Sequence, residues 1–315
     1  MHIRKRKATP VRRWALFVLT LLAMVSTAAG QSAAELEVSR ALDGAIDIHV
    51  HGFPDDRARS VDGIEAAELA LSAGIRAIVL KNHYVSTAGL AYIVRRQVPG
   101  IEVFGGIDLN LTVGGINPAA VEYMTRVSGG WGRFVWMPTF DSENQVRFSE
   151  EERPFVSVSL GGELLSEVRE VIAIIAEHDL ILATGHSGAE EGLMLLREGR
   201  RQGVGRMVVT HAMNEPILMD VGQMREATAL GAFIEFVGSS MRTPDAAVRV
   251  DRFADAIRMI GPEFCILSSD LGQAENELPP DGFAAFLIAL QARGFSEAEI
   301  DQMSKENPAR LLGLP

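Results

Sequence analysis

The chain has 315 residues but a single cysteine, Cys265, which excludes a disulfide-stapled scaffold. It is also short of positive charge: 30 basic residues stand against 41 acidic ones, a net charge of −11. Six of the basic residues (Arg4, Lys5, Arg6, Lys7, Arg12, Arg13) fall in the first thirty positions, which hold no acid. The remainder therefore has 24 basic against 41 acidic residues, net −17. Binding to phosphate backbones needs a basic stripe, so nucleic acid is not an expected partner. Beyond residue 30 no stretch is apolar for the roughly 20 residues that a spanning helix needs. No short period recurs, which excludes collagen-like and coiled-coil chains. Hydrophobic residues make up 47%, too many for a disordered chain and enough for one large core or two small ones. Cys265 lies in an apolar run and reads as a small core residue.

What is present begins with an address. Residues 1–13 are basic, Trp14 to Val25 is an unbroken run of apolar residues and threonine, and Ser26-Thr27-Ala28-Ala29-Gly30 are small or polar. This is the three-part pattern of a secretory signal over residues 1–30, cut near Ala28 to Gly30, and it predicts an exported, periplasmic or secreted protein with no membrane attachment after cleavage. An uncleaved anchor is the alternative. Arg12-Arg13 faintly resembles a twin-arginine signal.

From residue 41 onward, apolar runs rich in Val, Ile and Phe alternate with helical patterns. The runs cover 45–50, 75–81, 101–109, 133–138, 180–186, 206–211, 232–237 and 264–270. Helices are expected at Gly63–Ala73, Glu163–Glu177, Asp251–Ile260 and Gly282–Ala292, with Gly74, Gly231 and Gly261 closing three helices at positive φ. Strands apolar on both faces are what parallel strands covered by helices look like. Eight βα units in about 270 residues predict a (β/α)₈ TIM-like barrel as a single domain over 41–315; an open doubly wound sheet is the competitor. The longest connection, Thr139 to Gly162, reads as a hairpin or flap beside the mouth.

Polar residues gather where these runs stop. Asp47, His49 and His51 end the first; His49 and His51, two apart, share a side. Lys81 ends the second, with His83 just past it. Asn110 follows the third, His186 ends the fifth, His211 the sixth and Asp270 the eighth. In a barrel those ends converge on one mouth. Imidazole and carboxylate are the ligands of zinc and related ions, so His49, His51, His186, His211 and Asp270 form a candidate metal set. Glu235, in the seventh run, is placed to support a ligand. Lys81, His83 and Asn110 are candidate substrate contacts. His178 closes a helix and reads as a cap, and Trp131, Trp136 and Met137 as core or pocket wall.

These residues resemble the amidohydrolase superfamily of metal-dependent hydrolases. The likeness rests on Asp47-Ile48-His49-Val50-His51, the later His186 and His211, Asp270, and a terminal Glu306-Asn307-Pro308-Ala309-Arg310-Leu311-Leu312-Gly313. Val79-Leu80-Lys81-Asn82-His83, Gly105 to Asn110, Val113 to Pro118 and Trp136-Met137-Pro138-Thr139 resemble an uncharacterised amidohydrolase-like branch. The resemblance spans about residues 41–314. It implies one or two divalent ions, zinc first, with His49, His51 and Asp270 on one and His186 and His211 on a second or on substrate. It further implies hydrolysis of a small amide, lactone, ester or phosphoester by metal-activated water, with Asp270 moving the proton and the metal or His211 polarising the substrate oxygen. Many two-metal members bridge the ions from strand four; here Val135-Trp136-Met137-Pro138-Thr139 offers neither Lys nor Glu. Lys81 is then a carboxylated bridging ligand from another direction, or a substrate anchor. Amides of the Gly114-Gly115 turn are a weaker candidate for an anionic group.

Rival readings stay open. Decarboxylases and isomerases use the same scaffold, and an exported barrel that binds metal or ligand without turnover needs no proton shuttle. Gly185-His186-Ser187-Gly188-Ala189 approaches a nucleophile elbow with Ser187 as nucleophile, but that reading leaves His49 and His51 unexplained. Gly203-Val204-Gly205 precedes a strand, which argues against a dinucleotide-binding fold. A small-molecule substrate is the expected partner, with a homo-oligomer possible in principle.

Overall fold

Eight parallel strands form one sheet in the order β1-β2-β3-β4-β7-β8-β9-β10: Ile46–His51, Ala77–Lys81, Glu102–Asp108, Gly132–Trp136, Ile181–Ala183, Met207–Val209, Ala232–Val237 and Cys265–Ser268. The remaining pair, β5 (Ser159–Leu160) and β6 (Glu163–Leu164), is a small antiparallel hairpin. The structure is a computed structural model that describes residues 35–242 and 244–315; the signal expected over 1–30 lies outside them. Residues 41–315 form one compact unit. The sheet closes on itself where the first strand meets the segment after the last: His51 N donates to Leu271 O at 2.8 Å and Asp270 N to His49 O at 2.9 Å. The barrel reading thus holds over the open sheet.

The strands are buried on both faces, as the apolar runs require. Inward residues Ile46, Ile48, Ala77, Val79, Phe104, Phe134, Trp136, Ile181, Ala183, Val208, Phe233 and Ile266 pack into one interior cluster, joined by Leu311 and Leu312 of the C-terminal helix. Outward residues join the larger cluster beneath the helices. The helices are the expected amphipathic pieces. That at Ser166–Glu177 buries Val168, Val171, Ile172 and Ile175, one 3.6-period stripe; it starts three residues later than expected because Glu163 and Leu164 pair in the hairpin. The helix at Gly63–Ser72 opens on a capping box between Asp62 and Glu65. Those at Ala246–Ile260 and Pro279–Gln291 begin earlier than the sequence pattern suggested, the second on two prolines at its first turn. Cys265 is a buried free thiol.

One irregularity positions the site. Along β1 and β2 the pairing runs Ile46 with Ala77 and Asp47 with Ile78, then Val50 with Leu80 and His51 with Lys81. One extra residue on β1 makes a bulge. Ile46 and Ile48 face the interior before it; after it Val50 lies in the outer cluster, and His49 and His51 turn inward. The Asp47 carboxylate holds the kink, since its Oδ1 accepts from His49 N (3.1 Å) and from Ser269 N across the seam (2.9 Å).

Candidate metal centre at the barrel mouth

Five of the seven histidines form a ring of imidazoles at the carboxyl ends of the strands. Ring centres are 5.2 Å apart for His49 and His51, 4.9 Å for His51 and His83, 6.3 Å for His83 and His186, 5.0 Å for His186 and His211, and 5.9 Å for His211 and His49. All five are buried. They line one cavity of about 400 Å³ together with Lys81 and Asp270. The structure therefore brings together every residue of the expected metal set.

Within the ring, three ligand atoms converge. Asp270 Oδ1 lies 3.2 Å from His49 Nε2 and 3.1 Å from His51 Nε2. Among the described residues, His49, His51 and Asp270 form the one group of three or more His, Cys, Asp or Glu whose ligand atoms all lie within 4.8 Å of one another. His49 Nδ1 donates to Glu235 Oε1 at 3.1 Å, which leaves Nε2 with its lone pair toward the mouth. Glu235 is itself braced by Ser268 Oγ (2.7 Å) and the His211 amide (2.8 Å). Burial opposes its charge, but the neighbouring His49 and these donors hold it down to about 2. Asp270 follows the same logic: burial opposes ionisation, while His49 and His51 keep its carboxyl well below the usual range. Its Oδ2 accepts from Ser239 Oγ at 3.0 Å. Burial also keeps imidazoles neutral, with His51 lowered to about 3 and His211 to about 4. Neutral imidazoles, an ionised carboxylate and a fixed tautomer are what a divalent cation requires. The Nδ1 atoms of His51 and His211 are buried without a hydrogen-bond partner, so neither ring has the outer brace that Glu235 gives His49.

His186, His211 and Asp270 stand beyond their strands, not at the last strand residue as expected. The strands stop at Ala183, Val209 and Ser268, and the chain turns sharply, with His211 at φ 25 and Asp270 at φ 51. Positive φ is uncommon outside glycine, and Asp and His are among the residues that adopt it most readily. Gly272 allows the turn at the seam: a Cβ there would lie 1.9 Å from the His51 carbonyl oxygen. His186 Nδ1 donates to Gln145 Oε1 at 2.8 Å, from a short helix, Glu143–Phe148, within the long connection expected to form a flap.

Lys81 is wholly buried. Its Nζ lies 3.1 Å from His49 Nε2, 3.9 Å from Asp108 Oδ2 and 5.2 Å from the Trp136 ring centre. It reaches the ligand cluster, but an ammonium has no lone pair, so a ligating Lys81 must lose its proton or be carboxylated. His83 Nδ1 lies 2.9 Å from Thr139 Oγ1 and 3.3 Å from Asp108 Oδ2, with its ring on the cavity wall. Asp108 was not among the expected site residues. Burial pushes its carboxyl up to about 6, only partly offset by Lys81 and Thr139, and its Oδ1 has no partner. The alternation that turns Phe104 inward places Asp108 inward too, so the signal was present. Gln145, from the short helix in the long connection, and Ser239 and Arg57, from a short turn and a loop, carried none.

Two expectations are corrected. Asn110 does not face the cavity: its amide donates to His83 O and Thr139 Oγ1, and its Oδ1 accepts from Thr139 N and Asp141 N. It ties three loops together and has nothing left for substrate. The Gly114 and Gly115 amides are likewise spent, on Leu111 O and Asn110 O. Ser187 is buried and its hydroxyl has no partner, so no base activates it.

Known structures with this fold were found at low identity. An amidohydrolase from Burkholderia multivorans with zinc bound is 15% identical, with a TM-score of 0.61 over 86% of this chain and 99% of that one. An organophosphorus hydrolase variant from Deinococcus radiodurans is 18% identical, TM-score 0.57, over 87% and 94%. A 2,6-dihydroxybenzoate decarboxylase from Rhizobium is 13% identical, TM-score 0.53, over 86% and 99%. The fold of this chain is thus the barrel of amidohydrolases and their neighbours, as the sequence resemblance implied. No curated protein matches it. Residues 44–235 match the model of a family of unknown function, DUF6282, and the chain belongs to that family.

Proposed function

We propose that this protein is a metal-dependent hydrolase that acts on a small carbonyl or phosphoester substrate at the barrel mouth. The observation that carries the reading is the meeting of His49 Nε2, His51 Nε2 and Asp270 Oδ1, with Glu235 fixing the His49 tautomer. These three residues would hold one divalent ion, zinc first; His186 and His211 face the same cavity and would take substrate oxygen or a second ion. A bound ion of this kind supplies Lewis acidity and lowers the pKa of water to about 7.

The chain's own groups do the rest. Asp270, anionic and fixed by Ser239, is the one carboxylate in the ligand cluster and is placed to receive a proton and return it to the leaving group. His186, with Nδ1 spent on Gln145, presents Nε2 to the cavity. Trp136, buried, and Phe140, half-buried, line the side of Lys81 and His83. The basic and apolar start of the chain supports export as part of this reading.

The test is metal analysis of the purified protein, then lactones, amides, esters and phosphotriesters assayed with and without a chelator. The expected result is about one tightly held ion per chain and a chelator-sensitive hydrolysis. Metal-free protein that turns over substrate regardless of chelator would overturn it. The fold shared with a decarboxylase supports a second reading, so benzoates with 2-hydroxy groups belong in the panel; carbon dioxide release without hydrolysis would favour it.

A further inference from the structure

Above the imidazole ring, the cavity wall continues through Phe140 to the loop that follows β1. Phe140 packs edge-on to His83, 4.2 Å between ring centres, and lies 5.5 Å from His186. Against the same ring, the Arg57 guanidinium carbon sits 4.1 Å from the centre. Arg57 Nη2 donates to the Tyr84 hydroxyl at 2.7 Å. Its acidic neighbour among the described residues is Asp56, 3.7 Å away and 62% exposed, a pair that solvent screens to little value. Arg59, from the same loop, differs: its charge is met by the buried Asp55 at 2.7 Å.

Arg57 is thus a cation on the cavity wall, held by an aromatic face and a hydroxyl, with no buried carboxylate opposite it. Stacking and the Tyr84 bond fix the plane of the fork, so less rotamer freedom is lost when an anion arrives. Nor does the placement follow from a generally basic surface, since the chain carries −11. The carboxylates that share the outer cavity, Glu215 and Glu275, are exposed at its rim.

We propose that Arg57 anchors a carboxylate on the substrate, with the group to be hydrolysed at the imidazole ring and an anionic tail one aromatic ring away. The substrate class is then small carboxylic acids that also carry an ester, amide or lactone. A planar, two-oxygen carboxylate suits a single guanidinium fork. This inference rests on the hydrolase reading for its chemistry but not for its binding contact.

The experiment uses the metal-loaded full chain and two probes, the mono-4-nitrophenyl ester of glutaric acid and the neutral methyl 4-nitrophenyl glutarate. The wild type is expected to prefer the charged ester. Arg57→Met is expected to cut the charged-to-neutral ratio of kcat/KM by about 2–10-fold, mostly through KM, a modest loss because the Arg57 side chain is itself 47% exposed; Arg57→Lys restores part of it. In parallel, glutarate should raise the melting temperature of the wild type more than that of Arg57→Met. A ratio unchanged by Arg57→Met, with equal glutarate stabilisation, overturns the anchor even if both esters are hydrolysed. Glutarate stabilisation that depends on Arg57, with neither ester hydrolysed, supports the anchor and removes esters of this kind from the hydrolase reading, which then rests on the lactones, amides and phosphotriesters.

Discussion

The first two strands of the barrel lie side by side yet aim their side chains differently. β2 alternates without interruption: Ala77 and Val79 enter the interior cluster, and Lys81, two further on, faces the mouth. β1 starts in the same phase with Ile46 and Ile48, then inserts one residue against β2. The slip sends Val50 outward and both His49 and His51 inward. An unbroken β1 would point both imidazoles at the surrounding helices, because a one-residue shift moves every side chain to the other face. A metal centre here would depend on a defect in hydrogen-bond pairing, and Asp47 sustains that defect by accepting from the amides of His49 and Ser269. The carboxylate is not comfortable there: burial raises it to about 6, against the amides and His49 that lower it.

The largest effect is expected from removing the brace of β1. Asp47→Ala leaves two buried amides without acceptors, at about 1–3 kcal/mol each, so urea denaturation should show a loss of roughly 2–6 kcal/mol together with loss of bound metal. Asp47→Asn keeps an oxygen for both amides and should retain fold and metal; equal damage from both substitutions would sever the bulge from the site.

A smaller effect concerns Asp108, which ends β3 beside Lys81 of β2 and accepts from Thr139 Oγ1 but, among the described residues, from no backbone amide. Its folded pKa of about 6 exceeds the unfolded 3.8, so the folded state holds a proton that the unfolded chain has released. Stability from this group is full below about pH 4 and is lost as pH rises through 6. Asp108→Asn should therefore stabilise the protein at pH 8 by up to about 3 kcal/mol, at 1.36 kcal/mol per pH unit, with the gain gone at pH 4. A gain independent of pH would show that charge is not the cause.

The smallest concerns the far support of His49. Glu235→Gln should weaken metal affinity about 10–100-fold while leaving the fold intact, read by competition with a chromogenic chelator. Unchanged affinity would assign Glu235 to the backbone of His211 alone.

The comparison of β1 with β2 also explains what could be read from the sequence. Runs such as Ile75 to Lys81 announced strands buried on both faces, and eight of them announced a barrel. The histidines at their ends were legible because such ends share a mouth, whatever the loop details. Individual directions were not. Asn110 sits where a substrate contact would be expected, but its four hydrogen bonds turn it back into the wall, and those bonds depend on loops distant in sequence. His211 and Asp270 adopt positive φ without glycine, so no local signal marks where their strands end. The bulge was invisible for the same reason: Asp47-Ile48-His49-Val50-His51 alternates in composition, and only the pairing register reveals the break.

The seam between the first and last strands has a further consequence. His51 and Asp270 are 219 positions apart, and the backbone bonds that close the cylinder flank the very atoms that would grip the ion. A ribosome must finish nearly the whole chain before both halves of that grip exist, so an ion could be held only after they meet. A cation held there would tie the first strand to the segment after the last, adding its binding free energy to the closure of the barrel.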